Sequence, residues 1–555
     1  MKGDNQKEKS NDPGHENSVP LGFVRDVNVD YVKTIFSLKR LFLPFTFRKF
    51  VFFVLYLAIF IFVSGIVVDI FPVTEWGVYI YFKRYWLSET SILITFLFLA
   101  IDPIFLIVSI LFGTRSQNRK VNQDVFPDEN TSTNGFDDIG IIIACHKSND
   151  VIEKTVRSAL KHFLPQNIYV SDNGNNPYPF DDTEDIVLNI DSSINYRWSS
   201  VGNKTLAQFL SVRAMMERDD IKYVLIIDDD TKIPENFTSS SEKIDDVVKG
   251  VMFGIKGVDE FGKQDCVWTK WQDLEYKLGD LVKEVQCKYA SVLFPHGAAS
   301  LWGKETLFEI LGEHDTIFYA DDVKMGIFLI MNGYRLYYNT NVIFETEVPS
   351  SLIGKSPNYY NQRVRSWDFA EHMCTFRHIK HMFFGYIRGS LKRTVVLRVF
   401  QLYVLISIIN DWFKIPIFFF YMRSSPLFFT GALGLNVLVN ILCICIWNYW
   451  SCKGQKNIQV DLIVILTSPI YRIISSLTRV LSVFHCVFIY LPNYKPSALK
   501  NPGKIPDDQI EIFEAYNMGK VSREGSITGE VLDVMENGRS SYKRDTFFKV
   551  FPEPI

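Results

Sequence analysis

No excess charge of one sign marks this chain. Its 59 Lys and Arg stand against 62 Asp and Glu, a formal charge of -3. Both signs are spread along the sequence, so no basic face is present to hold nucleic acid, and no nucleic-acid partner is expected. Cysteine is sparse and scattered, with 8 in 555 residues. No pair has zinc-ligand or thioredoxin-like spacing. A disulfide framework is therefore not expected, and reduced thiols in cytosol or lipid are the simpler reading. Residues 1–20 lack an apolar core, so no secretory signal is read there. Their polar composition predicts disorder. No internal repeat is found.

What the chain does have is apolar clustering. Hydrophobic residues make up 47% and Phe alone contributes 46, gathered into runs that suit a bilayer. A chain of this length predicts two or three structural units. The first run is Phe50 to Phe71 and the second Ser91 to Gly113, the latter holding Asp102-Pro103. A carboxylate at that depth is costly and should face other helices. Arg40, Arg48 and Lys49 precede the first run, and Arg115, Arg119 and Lys120 follow the second, which puts both flanks in the cytosol. Lys83 and Arg84 between the runs pull weakly the other way. The predicted organisation is a polar cytosolic segment over 1–48, two transmembrane helices over 49–115 and a linker over 116–137. An α/β domain over 138–384, a C-terminal transmembrane region over 385–492 and a polar tail over 493–555 follow.

Within 138–384, the apolar runs Gly140–Ala144, Asn167–Val170 and Tyr223–Ile227 end in polar or acidic clusters and alternate with helical patterns. That pattern predicts parallel strands with ligands at their carboxyl ends. Beyond it lie the runs Val395–Tyr421, Leu427–Trp450 and Val460–Leu491. The last contains Pro469, Arg472, Arg479 and His485. It reads either as a tilted span or as a span plus an interfacial helix.

The strand ends carry the candidate chemistry. Val224 to Ile227 runs into Asp228-Asp229-Asp230. Alternation along a strand would bring Asp228 and Asp230 to one face. Two such carboxylates suit Mg²⁺ or Mn²⁺, whose other ligands would be substrate phosphates and water. An acidic turn reads equally well from the triplet alone. Upstream, Asp172 ends another strand, where it suits hydrogen bonds to a uracil or ribose, or an Asx-turn. Lys204 in Gly202-Asn203-Lys204-Thr205 suits a phosphate as a point charge. Asp321 and Asp322 open an apolar helix, either as caps or as a general base whose neighbour perturbs its pKa. His296, in Pro295–Trp302, reads as structural. Gln362-Arg363-Val364-Arg365-Ser366-Trp367 lies on an amphipathic helix before the membrane. There Arg365 suits a diphosphate clamp and Trp367 a sugar-stacking face, or an interfacial anchor.

The order and spacing of Asp172, Asp228–Asp230, Asp321-Asp322 and Gln362-x-x-Arg365 with Trp367 resemble the family-two inverting glycosyltransferases. That group contains chitin, cellulose and hyaluronan synthases. Pro295–Trp302 and Ile143–Lys147 look most like fungal cell-surface polysaccharide synthases of the group. The resemblance implies a GT-A-type nucleotide-binding α/β domain inserted between transmembrane helices of a multi-pass membrane protein, probing the cytosol for its donor. It implies Asp172 at the nucleotide base, Asp228 and Asp230 at the metal, and Asp322 as catalytic base with Asp321 beside it. It implies Gln362, Arg365 and Trp367 at the donor diphosphate and acceptor end. The implied partners are a nucleotide-sugar donor, with UDP as the family expectation, a carbohydrate or lipid acceptor and the bilayer of the plasma membrane. Two departures stand out. Ser366 separates an Arg and a Trp that are adjacent in the family pattern, which on an α-helix would rotate Trp367 by about 100°. Ala144 also occupies the place of a frequent Pro.

Overall fold

The computed structural model describes residues 89–113, 136–314, 321–354, 358–369, 371–372, 390–424, 426–452, 458–485, 502–505 and 507–519. The apolar run Phe50 to Phe71 lies outside the described residues.

The α/β domain forms around one mixed sheet. Its strands are β1 (Ile139–Cys145), β2 (Ile168–Asn173), β3 (Asn195–Ser199), β4 (Tyr223–Asp228), β5 (Thr231–Lys232), β6 (Val248–Val258), β7 (Ala299–Gly303) and β8 (Arg335–Glu347). They lie in the order β3-β2-β1-β4-β7-β6-β8-β5. The first four pair parallel, and β7 runs antiparallel to both β4 and β6. The sequence of β1 is apolar at nearly every position because both faces are covered, and all seven of its residues are buried. One face packs Ile141, Ile143, Leu225, Ile227 and Phe253. The other packs Ile142, Val224, Ile226 and Trp302 against the helix α4 (Lys204–Met216). The remaining domain helices are α2 (Ile152–Ala159), α3 (Thr183–Ile190), α5 (Val267–Tyr289), α6 (Lys304–Gly312) and α7 (Asp321–Asn332).

Chain order reverses between β1 and β4. From β1 the chain steps outward through β2 to β3, then returns to pair β4 on the other side of β1. The crevice outside the carboxyl ends of such strands is where open α/β sheets hold ligands.

The apolar helices are α1 (Glu89–Phe112), α8 (Leu391–Ser424), α9 (Pro426–Ile446) and α10 (Leu462–Phe484). Among the described residues, three helices are long and apolar enough to cross a membrane, over Leu391–Asn410, Thr430–Trp450 and Leu462–Phe484. In α1, Asp102 is half-buried on the same side as Pro103, Leu106 and Ser109, while Ile104, Val108 and Leu111 face outward. Phe105 of α1 stacks on Tyr403 of α8, with ring centroids 3.5 Å apart. The stretch 493–555, read as a polar tail, contains a short helix α11 (Asp507–Phe513) that packs on the domain.

Candidate active site

Asp172 closes β2 and Asp228 closes β4, and both register with the end of β1: Cys145 pairs with Asp172 and Ala144 with Asp228. The two acidic positions therefore share the crevice at the order reversal. Just past β1, Lys147 adopts φ 56°, a backbone strain of the kind that gathers at ligand clamps. His146 Nδ1 lies 2.5 Å from the Asn173 carbonyl, tying the exits of β1 and β2 together.

Asp172 is almost fully buried, at 1% exposure. Its Oδ2 accepts from the Tyr196 hydroxyl at 2.7 Å and its Oδ1 from the Asn173 N–H at 2.7 Å. Burial pushes its pKa up to about 7, against the downward pull of the Tyr196 hydroxyl. Tyr196 carries no mark in the sequence as a site residue. It is found only through the parallel pairing of β2 and β3.

The aspartate triplet differs from the strand-alternation expectation. β4 ends at Asp228, and Asp229-Asp230 form a turn into β5. Each carboxylate is held separately. Asp228 Oδ1 accepts from Lys204 Nζ at 2.6 Å. Asp229 accepts from the Ser148 hydroxyl, and its carbonyl accepts from Thr155 at 2.6 Å. Asp230 Oδ1 accepts from Thr346 of β8 at 3.0 Å. Burial first, then mutual repulsion, pushes Asp230 well up, and burial raises Asp229 to about 6. Among the described residues, no group of three or more His, Cys, Asp or Glu forms a ready metal cage. Crowded carboxylates beside a lysine do fit a hard cation that completes its shell with phosphate and water.

Lys204 opens α4, which is capped by Asn203 accepting from the Leu206 N–H at 2.9 Å. A Cβ built on Gly297 would stand 4.0 Å from Lys204 Nζ, so the Pro295–Trp302 segment borders the same place. His296 sits in a buried cluster, its Nε2 2.9 Å from Asp280 Oδ1 and its ring against Lys283. Burial lowers the Lys283 pKa, opposed by the carboxylates of Asp280 and Asp322. Asp322 thus lies within electrostatic reach of that cluster. Its Oδ1 accepts from the Val323 N–H at 2.8 Å. The side chain of Asp321 lies outside the described residues. Gly326 sets α7 tightly against the loop before His296. A Cβ there would fall 1.9 Å from the Leu293 carbonyl oxygen.

Gln362–Trp367 is π-helical, and the Asp368 N–H returns to the Arg363 carbonyl five residues back. A π turn holds about one residue more than an α turn. Residue i+5 then stands roughly where i+4 stands on an α-helix, so the wider turn takes up Ser366. The rotation of Trp367 expected from an α-helix does not arise. Trp367 is 41% exposed. Gln362 Oε1 is buried without a hydrogen-bond partner. The side chain of Arg365 lies outside the described residues. Arg363, not singled out from the sequence, lies between the rings of Tyr359 (5.2 Å) and Trp367 (5.0 Å) and pairs with Glu275 at 2.7 Å.

Residues 137–368 match the family described as "Glycosyltransferase like family 2". That stretch of the chain is thus similar to a family-2-like glycosyltransferase domain. Among solved structures, it is similar to the mannosyltransferase PcManGT from Pyrobaculum calidifontis, solved with GDP-Man and Mn²⁺. That match has 14% identity and a TM-score of 0.41, covering 63% of this chain and 87% of that one. It is also similar to S. aureus TarS 1-349, solved with UDP-GlcNAc, at 12% identity and a TM-score of 0.33, covering 62% of this chain and 91% of that one. Among curated proteins, nothing matches.

Proposed function

We propose that the chain is a membrane-embedded, inverting glycosyltransferase that transfers sugar from a nucleotide-sugar donor, a UDP-sugar on the family pattern, to a growing extracellular or cell-wall polysaccharide. The observation that carries the reading is the meeting of Asp172, Lys204 and Asp228–Asp230 in one crevice at the order reversal of the sheet. The domain would face the cytosol, where nucleotide sugars are made, in the plasma membrane.

In this reading the chain's own residues divide the work. Asp172 receives the base. Lys204 and Arg365 hold the diphosphate, Arg365 in the bidentate manner open to a guanidinium. Gln362 offers its unpartnered Oε1 to a donor or acceptor hydroxyl. Trp367, half-exposed, presents a ring to a sugar. Asp322 takes the proton from the acceptor hydroxyl as its oxygen bonds to the anomeric carbon and the bond to the diphosphate breaks. Asp228 and Asp230 would hold Mg²⁺ or Mn²⁺, which supplies charge neutralisation at the departing diphosphate.

The test is to incubate purified protein with a panel of radiolabelled nucleotide sugars and Mn²⁺, then size the product. A long saccharide supports the reading. A single sugar on an extracted lipid would instead make this a lipid glycosyltransferase with the same site. No transfer from any donor sinks the enzyme reading.

A further inference from the structure

The edge of the sheet at β3 is not left open. β3 ends the strand order on that side, and its last residues are bound by a segment from far along the chain, 502–519. Asn517 makes the central contact. The Trp198 N–H donates to Asn517 Oδ1 at 2.8 Å, and Asn517 Nδ2 donates back to the Trp198 carbonyl at 3.0 Å. One carboxamide thus meets both backbone groups of one residue, as a residue of a further strand would. Just past β3, the Ser200 N–H donates to the Phe513 carbonyl at 3.0 Å.

The segment grips that edge from both faces. Ile510 and Phe513 are buried with Phe209 and Leu210 of α4 on one face. The Tyr516 hydroxyl donates to Glu184 of α3 at 2.6 Å, and α3 packs through Val187 on the other face. Arg213 of α4 pairs with Asp507 at 2.8 Å, and Arg197 of β3 pairs with Glu514.

What Asn517 holds leads directly to Asp172. Strand pairing sets Trp198 beside Asp172 and Asp172 beside Cys145. The Asn517 carboxamide therefore ends one row that runs across β3 and β2 to the tip of β1. The Trp198 side chain carries the hold into the loop that follows Asp172. Its Nε1 donates to the Asn176 carbonyl at 3.0 Å. A Cβ on Gly174 would fall 2.7 Å from the Trp198 ring, so loop and indole are in close contact. The Gly174 N–H donates to the Ser199 carbonyl at 3.0 Å. Tyr196, two residues before Trp198, supplies the hydroxyl that Asp172 accepts. Asp172 and its loop are thus fixed from β3, and β3 is fixed from outside by the segment. A narrow cleft between them is lined by Asp172, Arg197, Trp198, Glu514 and Asn517. Without the segment, the end of β3 would have partners on one side alone, and such edges open most readily.

We infer that 502–519 is a strap that completes the donor site, with Asn517 as its positioning residue: by closing β3 it holds Asp172 and the loop over 174–176 ready for the nucleotide base. The inference rests on the donor-site reading of Asp172. Asn517 acts through Trp198 and touches neither base nor reacting atoms. Its effect falls on donor binding and not on the chemical step, because Asp322 stands on α7, outside this row.

The test uses the full chain in detergent. Asn517→Ala removes both hydrogen bonds to Trp198. Donor KM should rise by about 2–10-fold, the net worth of about one hydrogen bond, with kcat unchanged. UDP affinity in Mn²⁺, measured by calorimetry, should weaken by the same factor. Amide hydrogen exchange should quicken over 172–176 and hold over 223–228. A charge swap adds a second measure. Arg197→Glu and Glu514→Arg should each raise the donor KM, and the double variant should restore it, which a general loss of stability would not do. An Asn517→Ala chain with unchanged donor KM and UDP affinity overturns the inference. So does a kcat that falls while the donor KM holds. An unsubstituted chain that binds no nucleotide removes the donor-site reading and this inference with it, and that result is seen before any substitution is made.

Discussion

Lys204 Nζ stands 2.6 Å from Asp228 Oδ1, so the lysine suited to phosphate and a carboxylate suited to metal are paired with each other. Both side chains remain about a third exposed, and such pairs contribute at most about 1 kcal/mol. The pair is therefore easily opened when a diphosphate and a cation arrive together.

Lys204→Met should free Asp228 and remove a phosphate contact at once. The half-saturating Mn²⁺ concentration should fall by about 2–5-fold, and the donor KM should rise by a similar factor. Mn²⁺ titration at fixed donor, with EDTA-treated protein as the zero point, checks both. Full turnover in EDTA would remove Asp228 and Asp230 from any metal role.

Asp322→Asn keeps the shape of the side chain but cannot take a proton. Turnover should fall by about 10²–10⁴-fold, the usual worth of a general base. Nucleotide affinity by calorimetry should hold, because the proposed site assigns the base and diphosphate contacts to other residues. Asp321→Asn should be milder. Near-normal turnover in Asp322→Asn with a dead Asp321→Asn would move the base to Asp321. Two active variants would reduce the pair to a helix cap.

Gly326→Ala tests how α7 is seated. The new Cβ would meet the Leu293 carbonyl, and because backbone cannot swing aside as a side chain can, α7 must shift. Overpacking of this sort costs about 1–3 kcal/mol. The thermal midpoint in detergent should drop, and turnover should drop with the displacement of Asp322. An unchanged midpoint would show that the contact is slack.

The Asp172 carboxyl, raised to about 7, gives a pH signature. Because its folded pKa lies above the ordinary carboxylate range, its contribution to stability is fully present at low pH and is lost as pH rises through about 7. The thermal midpoint should therefore decline between pH 5 and 8, and Asp172→Asn should flatten that decline. Donor binding should run the other way. An ionised Asp172 accepts a hydrogen bond from a base N–H better than a neutral one, so the donor KM should fall as pH rises through about 7. A donor KM equally pH-dependent in Asp172→Asn would separate Asp172 from the base.

Much of the site was legible because its signals are local. Asp172 and Asp228 each follow a run of buried strand residues, and such runs announce both the strand and its exit. The helix from Asp321 was legible from its apolar pattern, and Gln362–Trp367 was legible as a helix but not as the π turn that it forms. Arg363 was not, since nothing in its neighbours distinguishes it from Arg365. Its burial between Tyr359 and Trp367 depends on a π turn that no local propensity signals.

The sequence by itself determined β1, β2 and β4, their acidic exits and the long apolar helices, because each rests on hydrophobic period and run length within a few residues. Only the tertiary structure decided which groups meet. Tyr196 reaches Asp172 through strand pairing, Lys204 reaches Asp228 across a crossover, and Glu514 reaches Arg197 from 317 residues away. Those meetings depend on how the sheet is ordered and where the chain returns after the apolar helices. Hydrophobic pattern fixes which face of an element is buried, but not which distant element covers it.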